Sequence, residues 1–457
     1  MDKIQLLQER KMKIAEAGKD IRADIAAIVD EESFVELSAF SFSKNEFYGE
    51  NAEGEGVVTG YATIDGYPYY IVAQNFKVLD GGMSKASCDK IVKCLDVAEK
   101  NAVPVVYLLN THGVQVGEGV TVLEGLANVL MKATQLDVNG GVSQYVIVNG
   151  EVYGAAAMLA AIADFTFFVK NKSVLAINSP FVLSAKAGKN LTKEEVGGAK
   201  ALDKTGVVSL EVEDLADARD KIVALSDMLR VGMVDAELNE CAPILNESVA
   251  VENLLSIFEN YIEINANYEP EIKTVIARIG GISIAAAIFD GGDNGVEMTV
   301  AKMDKMNAFA SLANAHGLPF VTFTDTKGLC PCACANNSRL LKATAEYLEN
   351  FNYITAPKIS VVYKKAIGLG YSLFASKSVG FDYTCAFANA KIALFDSVQG
   401  AQIELGNEKA DKAALVAKYA DENSDPINAA KDGYIDAIIE PQFVKQYLIS
   451  SLQMLAR

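Results

Sequence analysis

Glycine-rich turns between strands and helices are the part of this chain best suited to chemistry. Gly113, Gly154, Gly368 and Gly370 follow apolar runs that are typical of buried strands. Backbone N–H groups at such turns can point at one position. Donors that face a developing oxyanion stabilise it by several kcal/mol, with about 2.7–4 kcal/mol for one donor in a measured case. The pattern therefore favours chemistry that passes through an enolate-like or ureido anion.

Side chains that could act as acids, bases or nucleophiles are few. The chain has two histidines, and it contains no GxSxG, P-loop or HExxH motif. His112 stands in NTHGVQVGEG directly after a predicted buried strand, where the ligands of α/β sheets gather. A substrate contact is its favoured functional interpretation, ahead of acid–base work and beside a purely structural role. His316 is predicted to end a helix.

Three cysteines, Cys330, Cys332 and Cys334, lie within five positions in GLCPCACANN. A metal site, a redox-sensitive loop and plain sequence drift are the alternatives. Structural zinc sites favour CxxC pairs with a second pair elsewhere, and this spacing is C-x-C-x-C. The other cysteines are scattered along the chain (Cys88, Cys94, Cys241 and Cys385). We expect drift on a loop and no metal bound by this chain.

The elements that position these turns repeat with a period near 215 residues. GYATIDGYPYYIVAQNF, SKASCDKIVKCLDVAEKNA and PVVYLLNTHG predict a hairpin, a helix and a strand. The same order returns in IARIGGISIAAAIFDG, MDKMNAFASLANAHG and PFVTFTDTKG, so that Pro104 corresponds to Pro319 and Gly154 to Gly368. We predict two α/β domains of one duplicated fold. The alternative is that unrelated α/β domains look alike at this level.

The predicted domains are residues 1–240 and 269–457, joined by a helical connector at 241–268. The net charge of −18 argues against nucleic acid and anionic membranes as partners, because both require basic patches. No apolar run is long enough to span a bilayer, and the charged N-terminus lacks the apolar core of a signal peptide. Scattered cysteines without a CxxC pair indicate a reducing cytoplasm.

From about Glu32 onward the chain resembles the carboxyltransferase subunit of biotin-dependent acyl-CoA carboxylases and the related acyl-CoA decarboxylases. The resemblance rests on many segments in one order: ESFVEL, GEGVVTGYATIDG, NTHGVQVGEG, NGEVYGAAA, ADFTFFVK, LTKEEVGGAK, TFTDTKGLCP, APKISVVYKKAIGLGY and DPINAAKDGYIDAIIEP. It implies two crotonase-like domains in tandem, an acyl-CoA substrate and biotin on a separate carrier protein. It also implies a dimer in which the N-domain of one chain faces the C-domain of its partner, and often a trimer of such dimers.

The resemblance also implies roles for individual residues. Gly154 and Ala155, together with Val114 on the facing turn, would form the oxyanion site for the thioester in the N-domain. His112 and Gly113 belong to the same turn as Val114 and would contact the substrate. Leu369 and Gly370 would form the biotin site in the C-domain. Ser372 would help to set the acyl size, and Gly197 and Gly198 would lie near the CoA nucleotide. No side-chain base is required, because the biotin ureido nitrogen can take the α-proton.

Several positions depart from the family pattern. Where carboxylases read Ser-Gly-Gly-Ala-Arg, this chain reads Thr111-His112-Gly113-Val114-Gln115, which lacks the arginine. Ala155 and Leu369 replace small or glycine residues at positions where the backbone approaches a ligand. The larger Leu369 side chain could narrow the biotin site in the C-domain. The cysteines replace the end of a Gly-Phe/Tyr-x-Pro-Gly loop at the mouth of the second domain.

Three functions remain in view. The first is a carboxyltransferase that moves a carboxyl group between carboxybiotin and a short acyl-CoA of the acetyl or propionyl type, working with a biotin carboxylase. The second is the α-subunit of a biotin-dependent decarboxylase of methylmalonyl- or glutaconyl-CoA, coupled to a membrane sodium pump. The third is a non-catalytic scaffold with the same fold, which the altered turn after Thr111 motivates.

Overall fold

The structure is a computed structural model that describes residues 2–42, 55–230, 240–405 and 412–455. Gly54, which opens the segment GEGVVTGYATIDG, lies outside these ranges. The chain divides into two compact units, residues 1–224 and 225–457. The predicted domain limits at 240, 241–268 and 269 stay a prediction.

The first unit contains a mixed sheet in the order β1-β2-β3-β4-β5-β6-β8, with β7 paired to β5. Its first two pairings are antiparallel and the rest are parallel. The strands are β1 (Val35–Leu37), β2 (Val57–Ile64), β3 (Tyr67–Gln74), β4 (Val105–Thr111), β5 (Gln144–Tyr153), β6 (Phe165–Val169), β7 (Val174–Ala176) and β8 (Leu210–Val212).

Helices connect and cover this sheet. They are α1 (Lys3–Ala17), α2 (Lys19–Ile28), α3 (Lys85–Asn101), α4 (Val120–Gly140), α5 (Ala157–Ile162), α6 (Pro180–Ala187), α7 (Lys193–Gly197), α8 (Ala199–Leu202) and α9 (Leu215–Leu229). The predicted hairpin is β2–β3, which turns at Asp65 and Gly66 with φ of 51° and 77°, as the Asp-Gly signal requires. The predicted helix is α3, which Ser84 caps by accepting the N–H of Ser87.

The second unit repeats this order. Its sheet runs β17-β15-β14-β13-β11-β10-β9, with β12 paired to β13 and β16 to β14. The strands are β9 (Asn260–Ile264), β10 (Ile272–Ile279), β11 (Ile282–Phe289), β12 (Val296–Met298), β13 (Phe320–Leu329), β14 (Lys358–Ile367), β15 (Tyr383–Phe387), β16 (Lys391–Ala393) and β17 (Ala437–Ile439). Because hairpin, parallel strands and short side strand recur in the same order, the predicted duplication holds at the level of topology.

The helices of the second unit are α10 (Ile244–Glu247), α11 (Val251–Leu255), α12 (Val300–Ala315), α13 (Ala333–Asn336), α14 (Leu340–Tyr353), α15 (Leu369–Phe374), α16 (Ser397–Leu405), α17 (Lys412–Asn423), α18 (Pro426–Lys431) and α19 (Val444–Leu455). The segment predicted as a helical connector is helical in α10 and α11, but it also contains β9, which pairs with β10. His316 is the C-cap of α12, as predicted.

Each sheet has its own apolar core. In the first unit, one core fills the space between the sheet and α3, α4 and α5, with Leu95, Val129 and Leu159 among its buried members. In the second unit, a core of Ile and Val side chains from the sheet packs against α11 and α19. These cores fix the strands whose carboxyl ends carry the glycine turns.

Candidate functional site

A buried threonine sets the turn at the end of β4. Thr111 Oγ1 accepts the N–H of Gly113 at 3.1 Å and lies 3.2 Å from the Gly113 carbonyl oxygen. Gly113 has a φ of 115°, a conformation that favours glycine. Met83 donates to the Gly113 carbonyl and accepts the N–H of Gln115, each at 2.9 Å. In such a parallel bridge, the central residue Val114 directs its own N–H to the opposite side.

The end of β5 forms a second turn beside the first. Gly154 has a φ of 76°, and its N–H donates to the carbonyl of Ile177 at 3.1 Å. Ala155 follows as the second residue of a 3₁₀ turn over residues 154–156. The first N–H groups of a helix have no acceptor within that helix. Within this turn the N–H of Gly154 is bonded to Ile177, whereas the N–H of Ala155 is a donor left for a ligand.

The two turns are in contact through their glycines. A Cβ added to Gly154 would stand 3.8 Å from the Cα of Gly113, and one added to Gly113 would stand 3.7 Å from the Tyr153 carbonyl oxygen. We call residues 111–115 and 153–156 the first turn pair. It brings the N–H groups of Val114 and Ala155 onto adjacent backbone segments at the carboxyl ends of neighbouring parallel strands, where α/β sheets place ligands.

Polar side chains border the first turn pair. His112 is half-exposed, with its ring 4.8 Å from the Phe76 ring and its Nε2 3.9 Å from Glu151 Oε2. Glu151 accepts hydrogen bonds from Tyr153 Oη at 2.8 Å and Lys193 Nζ at 3.1 Å. Burial raises the pKa of Glu151, but these two hydrogen bonds outweigh it, so that its pKa lies below the ordinary value. His112 thus faces a carboxylate that stays charged at neutral pH.

The glycines of the LTKEEVGGAK segment serve packing in this structure. Both Gly197 and Gly198 are buried. A Cβ on Gly197 would stand 2.4 Å from the carbonyl oxygen of Leu175 in β7, and one on Gly198 would stand 2.9 Å from that of Glu194. Gly197 thus allows α7 to lie against β7, and Gly198 allows the chain to leave α7 close to Glu194. Their predicted place near a CoA nucleotide stays a prediction.

The second unit builds the same turn at the end of β13. Thr326 Oγ1 accepts the N–H of Gly328 at 3.0 Å, and Gly328 has a φ of 90°. Met298 pairs with Leu329 in a parallel register, and its carbonyl accepts the N–H of Cys330 at 3.0 Å. This arrangement reproduces the bridge in the first unit, so Leu329 takes the place of Val114. The sequence analysis did not single out Leu329.

The turn after β14 completes the second turn pair, residues 326–330 and 367–370. The N–H of Gly368, which has a φ of 54°, donates to the Ala393 carbonyl at 2.9 Å, as Gly154 does to Ile177. Leu369 opens α15 in the position of Ala155, and its side chain is 55% exposed. Because the Leu369 side chain points to solvent, it leaves the backbone N–H of Leu369 accessible to a ligand, and a glycine is not required at this position.

Gly370 is required by close packing between the two turns. A Cβ there would stand 2.5 Å from Thr326 Cγ2 and 3.1 Å from the Gly328 nitrogen. A Cβ on Gly328 would in turn stand 2.9 Å from the Ile367 carbonyl oxygen. Ser372, one turn further along α15, is exposed. The structure thus brings Leu369 and Gly370 together with Gly328, and it leaves Ser372 on the surface of its own unit.

A buried carboxylate lies just before the second turn pair. Asp325 is fully buried, and neither of its oxygens has a hydrogen-bond partner among the described residues. Burial raises its pKa to about 6, while the charges of Lys364 and Lys365 oppose that shift. Lys364 Nζ lies 4.0 Å from Asp325 Oδ2, and Lys365 Nζ donates to the Asp293 carbonyl at 2.6 Å. In the first unit Asn110 occupies the matching position.

The cysteine-rich loop follows the second turn pair directly. Cys332 and Cys334 form a disulfide, with their Cα atoms 5.3 Å apart, and Cys330 is a free thiol. Plain drift therefore does not describe the loop completely, since two of its sulfurs are paired. A disulfide needs Cα atoms about 4.4–6.8 Å apart, a range that residues two positions apart can reach although their spacing does not suit zinc. Within the described ranges, no group of three or more His, Cys, Asp or Glu residues could hold a metal ion.

The family model described as "Carboxyl transferase domain" matches residues 15–457. The chain belongs to the carboxyl transferase domain family. It is 29% identical to the methylmalonyl-CoA decarboxylase subunit alpha of Veillonella parvula, over 100% of this chain and 96% of the relative. It is also 29% identical to the mitochondrial propionyl-CoA carboxylase beta chain of Homo sapiens, over 95% of this chain and 85% of the relative.

Solved structures agree on the fold of this carboxyl transferase. The crystal structure of transcarboxylase 12S, described as a hexamer with methylmalonyl-coenzyme A and methylmalonic acid bound, superposes with a TM-score of 0.89 at 23% identity. The match covers 99% of this chain and 94% of that chain. The predicted pair of tandem crotonase-like α/β domains is confirmed. In the described part of the carboxyl transferase, no helix is long and apolar enough to cross a membrane.

Proposed function

We propose that this carboxyl transferase moves a carboxyl group between carboxybiotin and a short-chain acyl-CoA. Family membership supports the reaction class, and both relatives named above carry acyl-CoA substrates in their names. The observation that carries the proposal is the repetition of one hydrogen-bonded turn pair in both units. A transfer between two carbonyl compounds needs an anion site for each partner, and a duplicated fold supplies two.

The first turn pair would hold the thioester. The N–H groups of Val114 and Ala155 would donate to the thioester oxygen as the enolate forms, with His112 and Gly113 beside the acyl group. Gly154 would act through the conformation that it gives this turn, since its own N–H binds Ile177. Gly197 and Gly198 would place α7 near the CoA nucleotide.

The second turn pair would hold biotin. The N–H groups of Leu329 and Leu369 would donate to the ureido oxygen, which gains negative charge as the carboxyl group leaves. Gly370 would keep the two turns in contact. Ser372, exposed within its own unit, would contribute to acyl selection in an assembled dimer, where the N-domain of one chain meets the C-domain of the other.

Biotin supplies the chemistry of carrying an activated carboxyl group when it is bound. The residues of this chain bind and orient both partners and stabilise their anions, and none of them is assigned the α-proton. Biotin would arrive on a separate carrier protein. We further propose a cytoplasmic homo-oligomer built from facing N- and C-domains. Transcarboxylase 12S is described as a hexamer, which supports an oligomeric state but not this particular arrangement.

A second candidate is the α-subunit of a biotin-dependent decarboxylase. The observation in its favour is the extent of the match to the methylmalonyl-CoA decarboxylase subunit, which covers 100% of this chain and 96% of that relative. Both candidates share one reversible half-reaction, the transfer of a carboxyl group between biotin and an acyl-CoA. The turn pairs would therefore serve either function. The partner decides between them: a biotin carboxylase in the first case, a polytopic membrane subunit in the second.

A panel assay tests the proposal. The purified protein is incubated with malonyl-, methylmalonyl- and glutaconyl-CoA in the presence and absence of free biotin, and the thioesters are separated by chromatography. We expect slow, biotin-dependent release of the decarboxylated acyl-CoA from at least one member. No turnover with any member would contradict the proposal and favour a scaffold.

A further inference from the structure

The loop after β13 carries a thiol chemistry that the carboxyl transfer does not use. The disulfide joins Cys332, which is half-buried, to Cys334, which is exposed. Two thiols of the first unit differ from this pair, since Cys88 and Cys94 are buried and burial raises the pKa of each to about 12. Solvent therefore reaches the paired sulfurs, while the core thiols are shielded.

The backbone around the pair favours reversible exchange. Cys332 Sγ accepts the N–H of Ala335 at 3.1 Å and caps α13. When the disulfide is reduced, this donor stabilises negative charge on the Cys332 sulfur, and the thiolate is the form that attacks a disulfide. Cys334 meets solvent first, and Cys332 is already held at bonding distance behind it. One cysteine can thus react with an external disulfide while the other resolves it.

The pair is tied to the second turn pair by a short connection. Leu329 offers the N–H assigned to biotin, and the next residue, Cys330, is fixed by its N–H to the Met298 carbonyl at 3.0 Å. Only Pro331 separates Cys330 from Cys332, and proline removes a backbone freedom. Closing the Cys332–Cys334 ring removes further freedom from the same loop. The oxidised loop is therefore the better organised neighbour of Leu329.

We propose that Cys332 and Cys334 form a dithiol–disulfide modification site for low-molecular-weight thiols and disulfides of the glutathione type, and that its oxidation state tunes the second turn pair. In oxidation, the Cys334 thiolate attacks one sulfur of glutathione disulfide and a glutathione thiolate leaves. The Cys332 thiolate then displaces the second glutathione. The two cysteines lose two electrons and two protons, which the two glutathione molecules take up. The effect on the turn rests on the proposed function, whereas the exchange itself does not.

A redox titration tests the site without any activity measurement. The full chain is equilibrated in glutathione buffers of graded ratio, quenched with acid, alkylated and digested, and the state of each cysteine is read by mass spectrometry. We expect Cys332 and Cys334 to change together. Cys332→Ser, which removes the resolving thiol, should abolish the ring and leave glutathione attached to Cys334, and Cys241→Ser, at an exposed free cysteine, should change nothing. Thiols that persist in fully oxidising buffer, or a ring through Cys330, would overturn the site.

Kinetics on the same samples test the coupling to the turn. Reduction should lower kcat/KM for free biotin several-fold and leave KM for the acyl-CoA unchanged, because the thioester is assigned to the first turn pair, which is remote in sequence from the cysteine loop. The Cys332→Ser/Cys334→Ser variant should lose this sensitivity. Equal biotin kinetics in both states would overturn the coupling. Absence of turnover in both states would instead refute the proposed function, and the titration would still decide the modification site.

Discussion

Thr111 Oγ1 accepts the N–H of Gly113 at 3.1 Å and so fixes the backbone that leads into Val114. The same bond joins Thr326 to Gly328 at 3.0 Å, 215 positions later. Both threonines are fully buried. A buried hydroxyl, rather than an ionisable group, thus sets the direction of the donors that the proposed mechanism uses.

Replacing each threonine by valine should affect one substrate at a time. Valine keeps the shape but leaves the glycine N–H without its acceptor, at a cost of about 1–3 kcal/mol. Thr111→Val should lower kcat/KM for the acyl-CoA by roughly 5- to 150-fold, and Thr326→Val should do the same for biotin. Steady-state kinetics with each substrate varied in turn provide the measurement, and each variant is the control for the other. Equal losses for both substrates would contradict the assignment of one turn pair to each.

Gly154→Val should abolish turnover because Gly154 lies in the first turn pair, which is assigned to the thioester. A β-branched residue at a φ of 76° is strained by on the order of 1–3 kcal/mol, and its methyl groups would reach toward Gly113. Gly66→Val is the matched control, since Gly66 has a φ of 77° and open space around it at the β2–β3 turn. We expect similar losses of Tm in both variants and loss of activity in the first alone. Unchanged kinetics in Gly154→Val would refute its place in the thioester site.

Asp325 should make stability depend on pH. Its folded pKa of about 6 lies above the ordinary value of 3.8, so its contribution is complete below about pH 4 and is lost as pH rises through 6. Asp325→Asn cannot ionise and lacks this loss, which is on the order of 2–3 kcal/mol. The variant should gain stability relative to the wild type between pH 4 and 7, measured as Tm in a pH series. A constant difference across that range would show that Asp325 does not carry a buried charge.

Elemental analysis should find no stoichiometric zinc in the purified protein. Two of the three clustered sulfurs are paired with each other, and C-x-C-x-C spacing does not match structural zinc sites. The measurement is made on protein purified both with and without a reductant, because reduction would release the paired sulfurs as ligands. One zinc per chain in either preparation would overturn this interpretation.

The repeat could be predicted from sequence because each of its elements has a local signal. The Asp65-Gly66 turn, the helical spacing of SKASCDKIVKCLDVAEKNA and the apolar run of β4 each predict their own structure, and the fixed offset relates the two halves. The donors themselves were harder to identify. That Gly154 gives its N–H to Ile177 depends on the pairing of β5 with β7, which no local pattern reveals.

Leu329 was missed for a different reason. Its signal lies in the preceding residues rather than in Leu329 itself, because the spacing Thr326-x-Gly328 repeats Thr111-x-Gly113. That spacing is a sequence signal, and it could have identified Leu329 as the counterpart of Val114. The Cys332–Cys334 disulfide could not be read in the same way, because a disulfide depends on how the loop folds back after Pro331.

Proline substitution at Ala155 and at Leu369 tests the central claim most directly, because it removes one N–H each from positions where a helix begins and proline is tolerated. Single-donor losses of this kind cost about 10²–10³ in kcat. We predict that Ala155→Pro and Leu369→Pro keep their Tm within a few degrees and bind acyl-CoA by calorimetry, while kcat for biotin-dependent decarboxylation falls by about that factor. Wild-type kcat in both folded variants would contradict the view that main-chain amides stabilise the transferred charge.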